Sequence, residues 1–263
     1  MVKKKVIESV TATDANSRRW KSLFSTARMA FEEGELRQAS SLLARARELA
    51  NQLPDKTFAI HSTEIGMAAI LLAQKKPRDA AARLQREISK LEGDPDLHLK
   101  ELLAVALRYQ AQALEEMGDY NESEKLLKKS IEILEDIGVE AAVQLAYSIC
   151  DLSALYIAQG RLSEAEKHMN IGLEILFNTL GPDSPEYVRA DMIFVTARIP
   201  ETDSRLDNAL DGLGKMEMMF GKHHPNIGRA FDRYIKYLKE KGDTKRIESA
   251  MERIQLKTKA GKK

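Results

Sequence analysis

The chain has 263 residues, 43% hydrophobic and 31% charged, and its 41 Lys and Arg nearly cancel its 40 Asp and Glu to leave a net charge of +1. That composition excludes a disordered chain and offers no basic excess for phosphate neutralisation, so nucleic acid is not an expected partner. A single cysteine, Cys150, excludes an intramolecular disulfide.

Aromatic residues make up only 6%, and Ala, Leu, Glu, Lys and Arg dominate, a helix-forming mixture. The fold class expected is all-α. Residues 1–19 form a lead-in with a basic start, MVKKK, and no apolar stretch of signal-peptide length; it either adds a capping half-helix or stays mobile. No run approaches the roughly 20 apolar residues of a spanning helix. These features predict a cytoplasmic protein without membrane insertion.

From Trp20 onward a short punctuation recurs. It reads EEGELRQA at Glu32–Ala39, AQKKPRDA at Ala73–Ala80, EMGDYNES at Glu116–Ser123, AQGRLSEA at Ala158–Ala165, ARIPETDS around Pro200, and EKGDTKRI at Glu240–Ile247. The marks are Gly34, Lys75, Gly118, Gly160, Pro200 and Gly242, spaced by 41, 43, 42, 40 and 42 residues. Such a period means a repeat architecture. Each mark separates two helical patterns, A before it and B after it. Before Gly118, Asp94 reads as an N-cap with Pro95 at the first helical position. After it, Leu127, Ile131 and Leu134 form one apolar stripe, and Glu124 and Lys128 an i, i+4 pair. Glycine suits the turn because it takes the left-handed conformation without steric cost. LGPDSPEYVRA at Leu180–Ala190 and FGKHHPNIGRA at Phe220–Ala230 read as joints between repeats: Gly181 and Gly221 end helix B, and Pro185 and Pro225 start the next helix A.

The turn pattern Gly-x-[Tyr/Leu]-x-x-Ala, with a small second-helix residue such as Ala46, resembles the tetratricopeptide repeat. The usual period is about 34 residues. The longer spacing here resembles the 42-residue variety found in kinesin light chains, whose joint commonly reads Leu-Gly-Pro-Asp-His-Pro; LGPDSP departs from it only at Ser184. The resemblance implies an α-solenoid of about six repeats in a right-handed superhelix over residues 20–255, followed by a basic tail at 256–263. It also implies a concave groove lined by helix A.

In that register the groove residues are Lys21, Phe24 and Arg28 in the first repeat and Ile65 with Ala69 in the second. The third contributes Arg108, Tyr109 and Gln112, and the fourth Tyr147, Cys150 and Asp151. The fifth and sixth contribute Tyr187, Asp191 and Phe194, then Asp232, Arg233 and Lys236. Aromatics beside charges suit a peptide groove; the alternative is that several pack against neighbouring helices. The Lys/Asn pattern that grips a C-terminal carboxylate in some such repeats is missing from this register.

The remaining candidates read structurally. His224 occupies the ordinary joint position beside His223, without paired zinc-ligand spacing. Cys150 lacks a His at a comparable groove position and reads as a small residue between helices. Met216, Met219 and Phe220 read as core of the fifth helix B. The expected function is a non-enzymatic scaffold or adaptor, without cofactor or metal, that binds a protein or peptide segment in the concave groove. A peptide- or ligand-responsive regulator is the alternative, and self-association stays open.

Overall fold

The computed structural model describes the backbone of residues 2–181, with side chains from residue 15, and beyond them residues 184, 186, 187, 190, 235, 238, 239 and 242–251. The expectations for Pro185, Pro200, Gly221, His223, His224, Pro225, Met216, Met219, Phe220, Asp191, Phe194, Asp232, Arg233, Lys236 and the basic tail lie outside the described residues. Two compact units are distinguished, Met1–Ile175 and Leu176–Lys263.

Eight α-helices are described: α1 (Val2–Glu32), α2 (Leu36–Ala50), α3 (Thr57–Ala73), α4 (Pro77–Leu91), α5 (Leu97–Glu116), α6 (Tyr120–Ile137), α7 (Ala142–Ala158) and α8 (Leu162–Leu180). The lead-in is therefore helical and continuous with the first helix A. Each helix from α1 to α6 packs on the next, and the odd-numbered helices also pack on each other, α1 on α3, α3 on α5 and α5 on α7. Helices A thus form one layer and helices B another.

The turns carry this arrangement. Gly34, Gly118, Gly160 and Gly242 have φ of 81°, 88°, 75° and 72°, and Lys75, in the glycine place, has φ 61°. All five close with the same pair of bonds. The mark's N–H reaches the carbonyl three residues back, as in Gly118 to Glu115 (3.0 Å), and the next N–H reaches five back, as in Asp119 to Leu114 (2.9 Å). The same pattern runs from Glu35 to Ala30, Lys76 to Leu71, Arg161 to Tyr156 and Asp243 to Leu238. This is the Schellman termination, which satisfies orphan carbonyls with a left-handed residue just past the helix. At the first four marks it brings helix B back against helix A so tightly that the fifth residue after the mark is small, whereas Ile247 stands there after Gly242. Ala39, Ala80 and Ser123 are fully buried there, and Ala165 nearly so.

Leucine-rich packing fills the space between layers. Leu84, Ile88 and Leu91 of α4 meet Leu99, Leu103 and Leu107 of α5, while Leu127 of α6 meets Leu152, Leu155 and Tyr156 of α7. The predicted α6 stripe is present, with Leu127 and Leu134 buried and Ile131 partly so. Buried hydroxyls bond across helices: Ser130 Oγ donates to the Ala104 carbonyl at 2.8 Å and lies 2.9 Å from Ser148 Oγ. Ser153 Oγ donates to the Ala165 carbonyl at 2.7 Å. Gly172 of α8 lies so close to α7 that a Cβ there would meet Cys150 Sγ at 2.6 Å.

Two expectations are corrected. Helix α5 begins at Leu97, and its N-cap is Asp96, whose carboxylate accepts from the His98 and Leu99 N–H groups. Asp94 instead accepts from the Asp96 N–H at 2.9 Å, forming the turn that presents the cap. Among the described residues one stretch, Val139–Ala158, is long and apolar enough to cross a membrane by length and composition. Half of it is buried, with Ala146, Ile149, Leu152 and Leu155 forming helix A of the fourth repeat.

In the second unit Gly181 has φ 87°. Ser184, the one departure from the joint pattern, accepts the Tyr187 N–H at 3.2 Å and donates to the Gly181 carbonyl at 2.9 Å. It caps the helical residues that follow. Beyond Gly242, Asp243 accepts from the Arg246 N–H at 3.1 Å in the same manner.

A charged clasp ties the third repeat to the fourth. The Glu124 carboxylate accepts from Lys128 (2.8 Å), Arg161 (2.6 Å) and the Tyr156 hydroxyl (3.1 Å), and the Arg161 guanidinium stacks 4.0 Å over the Tyr156 ring.

Two measurements test this frame. A left-handed lysine costs about 1–2 kcal/mol, partly offset by its exposed 2.8 Å ion pair with Glu116. Lys75→Gly should therefore raise stability by about 1 kcal/mol after glycine's own entropy is counted, read as a higher urea midpoint. A lower midpoint would refute the strain. Burial works to raise the Glu124 pKa, but Lys128, Arg161 and Tyr156 outweigh it and hold the carboxyl down at about 2, against an ordinary 4.5. Its contribution is thus complete above pH 4.5 and lost as pH falls toward 2. Over that window the melting temperature of wild type should fall further than that of Glu124→Gln; parallel curves would disprove it.

Candidate functional site

Helix α5 places Arg108, Tyr109 and Gln112 within one turn, and α7 places Tyr147 and Asp151 one turn apart. Because α5 packs on α7, side chains one repeat apart in sequence meet. The Arg108 guanidinium donates from Nη1 to Asp151 Oδ2 at 3.0 Å, and Gln112 Nε2 donates to the same oxygen at 2.6 Å. The guanidinium carbon lies 4.5 Å from the Tyr109 ring centroid and 5.4 Å from that of Tyr147. A cation held between two aromatic rings gains from both quadrupoles.

The arginine side chain is only 10% exposed and the aspartate 25%. Burial opposes the arginine's charge, but Tyr109 and Asp151 more than compensate, so its pKa is raised. The guanidinium Nε is buried without a hydrogen-bond partner. Asp151 directs both of these bonds to Oδ2, which leaves Oδ1 as an acceptor at the partly open surface. Tyr109, Gln112 and Tyr147 are half-buried and complete a patch that is aromatic at its edges and polar at its centre.

Cys150 is 7% exposed. Burial, reinforced by Asp151 and opposed by Arg108, pushes its thiol up to about 12. The thiolate is the reactive form, so at neutral pH this residue acts as packing against Gly172.

The other register positions behave differently. Lys21 and Arg28 are exposed on α1, the latter 3.8 Å from Glu32. Phe24 stacks on Trp20 with centroids 5.3 Å apart and packs on the core. Ile65 is 3% exposed and sits among Leu84, Leu103 and Leu107, so neither it nor the buried Ala69 offers a surface to a partner. Tyr187 meets Phe177 edge to face at 6.0 Å. Among the described residues no three His, Cys, Asp or Glu side chains converge as a metal site would require.

Removing one partner of a buried ion pair strands the other charge, at about 3–5 kcal/mol. Asp151→Ala should therefore cost about 3 kcal/mol in urea unfolding, since the aspartate is part-exposed. A loss below about 1 kcal/mol would mean that Arg108 reaches water without it.

Residues 102–176, which span this patch and the marks at Gly118 and Gly160, match the family model of the tetratricopeptide repeat. No curated protein matches the sequence. Among solved structures, BtubC (BKLC) from P. vanneervenii superposes with a TM-score of 0.60 at 15% identity, covering 88% of this chain and 93% of that one. Aspartyl phosphate phosphatase F from Bacillus subtilis superposes at 0.66 and 11% identity, with 91% of this chain spanning 59% of that protein. A Rap protein complexed with competence and sporulation factor gives 0.57 at 14% identity, with 87% of this chain spanning 66% of that one. At these identities the likeness is one of fold.

Proposed function

Taking as premise that the chain carries tetratricopeptide repeats over residues 102–176, we propose that it is a non-enzymatic interaction scaffold that holds an extended or helical segment of another protein on its helix-A layer. The observation that carries this reading is the Arg108–Gln112–Asp151 cluster framed by Tyr109 and Tyr147. The arginine is fixed in place and both tyrosines are half-exposed, so a partner meets rigid aromatic faces at little entropic cost. The open Asp151 oxygen accepts from a backbone or side-chain N–H. Cys150, next to Asp151, is held as the thiol and supplies no activated nucleophile to the patch. Lys21 and Arg28, exposed on α1, extend the proposed partner surface within the first unit.

A peptide-responsive regulator ranks second. It draws on the structural neighbour whose bound competence and sporulation factor shows the same fold in complex.

Affinity capture from the native lysate by wild type and by Tyr147→Ala tests the scaffold reading. The tyrosine is half-buried and truncating it leaves the Arg108–Asp151 bond in place. A partner held by wild type and lost, or weakened at least tenfold, with the variant supports the patch. An unchanged partner set would move the binding surface elsewhere.

A further inference from the structure

On the opposite layer, a cavity of about 190 Å³ opens between helices B of the first two repeats. Arg47 of α2 and Arg83, Arg86 and Lys90 of α4 line it, with Glu64 of α3 and Glu87 of α4 at its base. Four cations meet only two carboxylates. Both carboxylates are buried, at 7% and 3% exposure, and each has both oxygens engaged. Glu64 Oε1 forms an ion pair with Arg47 Nε at 2.6 Å, and Oε2 accepts from Arg83 Nη1. Glu87 Oε2 lies 2.6 Å from His61 Nδ1, and Oε1 accepts from Lys90 at 2.7 Å. The anionic capacity of the site is therefore used up internally.

The cations are not. Arg86 makes one bond, from Nε to the Ala82 carbonyl at 3.1 Å, and its two terminal nitrogens have no partner among the described residues. Arg47 uses only Nε on Glu64. Glu64 holds the Arg47 and Arg83 guanidinium groups at the cavity wall, each through one nitrogen, which leaves other guanidinium nitrogens for a ligand and two positive charges uncompensated. Arginine forks match carboxylate and phosphate oxygens. A group carrying close to two negative charges and three outward oxygens, as a phosphate monoester does near neutral pH, balances this site where a single carboxylate leaves it half neutralised.

We propose that this cavity binds a phosphoryl group, clamped between Arg47 on α2 and Arg83, Arg86 and Lys90 on α4. The site is separate from the tyrosine-framed patch. Inorganic phosphate and a phosphorylated side chain share the chemistry, and titration distinguishes them.

The test follows the arginine Nε–H signals of the full chain by NMR during titration with inorganic phosphate, with ionic strength held constant by chloride. The expected result is saturable movement of the Arg47 and Arg83 signals, with affinity at least tenfold weaker in Arg86→Gln, an exposed position whose change spares the core. No saturation, or equal affinity in the variant, overturns the proposal. A second arm uses a phosphoserine peptide and its unphosphorylated form. Tenfold tighter binding of the phosphopeptide than of inorganic phosphate assigns the source to a modified protein; equal or weaker binding assigns it to a free phosphorylated molecule. Identical shifts with the unphosphorylated peptide overturn the phosphoryl assignment. Tyr147→Ala should bind phosphate as wild type does, so this proposal and the scaffold reading fail independently.

Discussion

The left-handed turn residue is the constraint from which the rest follows. An L-residue avoids that conformation, yet the paired Schellman bonds require it at each described mark. Once the turn is set, the angle between helix A and helix B is set too, and the fifth position after the mark meets helix A at close range. Alanine or serine stands there after Gly34, Lys75, Gly118 and Gly160. A pair of helices so closed has an apolar side it cannot bury alone, and stacking the next pair supplies the missing cover. The layer of helices A, and with it the meeting of Arg108 with Asp151, results from that stacking.

Within an interface built mostly from leucine and alanine, the buried charges stand out. Glu64, Glu87 and Arg108 are all under 10% exposed, and a buried ion pair is weak evidence for net stability because desolvation offsets the attraction. An apolar replacement of similar volume would hold these repeats together as well. What the charges supply is direction: Asp151 aims a guanidinium between two rings, and Glu64 aims two guanidinium groups into a cavity. Both uses depend on pairs of residues brought together by the stacking of successive repeats.

Much of this was legible in the sequence where the physics is local. A glycine before a polar turn states its backbone requirement in one residue, and Lys75 was placed by spacing alone. Arg108, Gln112 and Asp151 were legible as neighbours because positions one period apart on helix A share a face. Ile65 was not: α3 reads TFAIHSTEIGMAAILLA, apolar nearly all round, so no periodicity distinguishes its open side from its covered one. Asp96 displaced Asp94 as cap because two aspartates flank Pro95, and only the backbone decides which is extended at the helix start. Glu64 and Glu87 were silent for another reason. Their partners lie 17 to 26 residues away on other helices, apart from Lys90, and a carboxylate in a helical repeat carries no mark of its burial.

The two polar sites differ in a way that bears on their use. At the tyrosine-framed patch the cation is neutralised by its own aspartate, so what faces outward is aromatic surface and one acceptor oxygen. Such a surface discriminates by shape and hydrogen-bond direction, and its affinity should respond weakly to salt. At the cavity between α2 and α4 the carboxylates are satisfied from within and the excess donors face outward, so charge decides what enters, and salt competes directly. On the two binding roles proposed, one layer would read a segment's side chains and the other a single charged group. A helical repeat achieves this with one backbone plan because helices A and B expose separate layers, each free to vary wherever the turn and its small residue are kept.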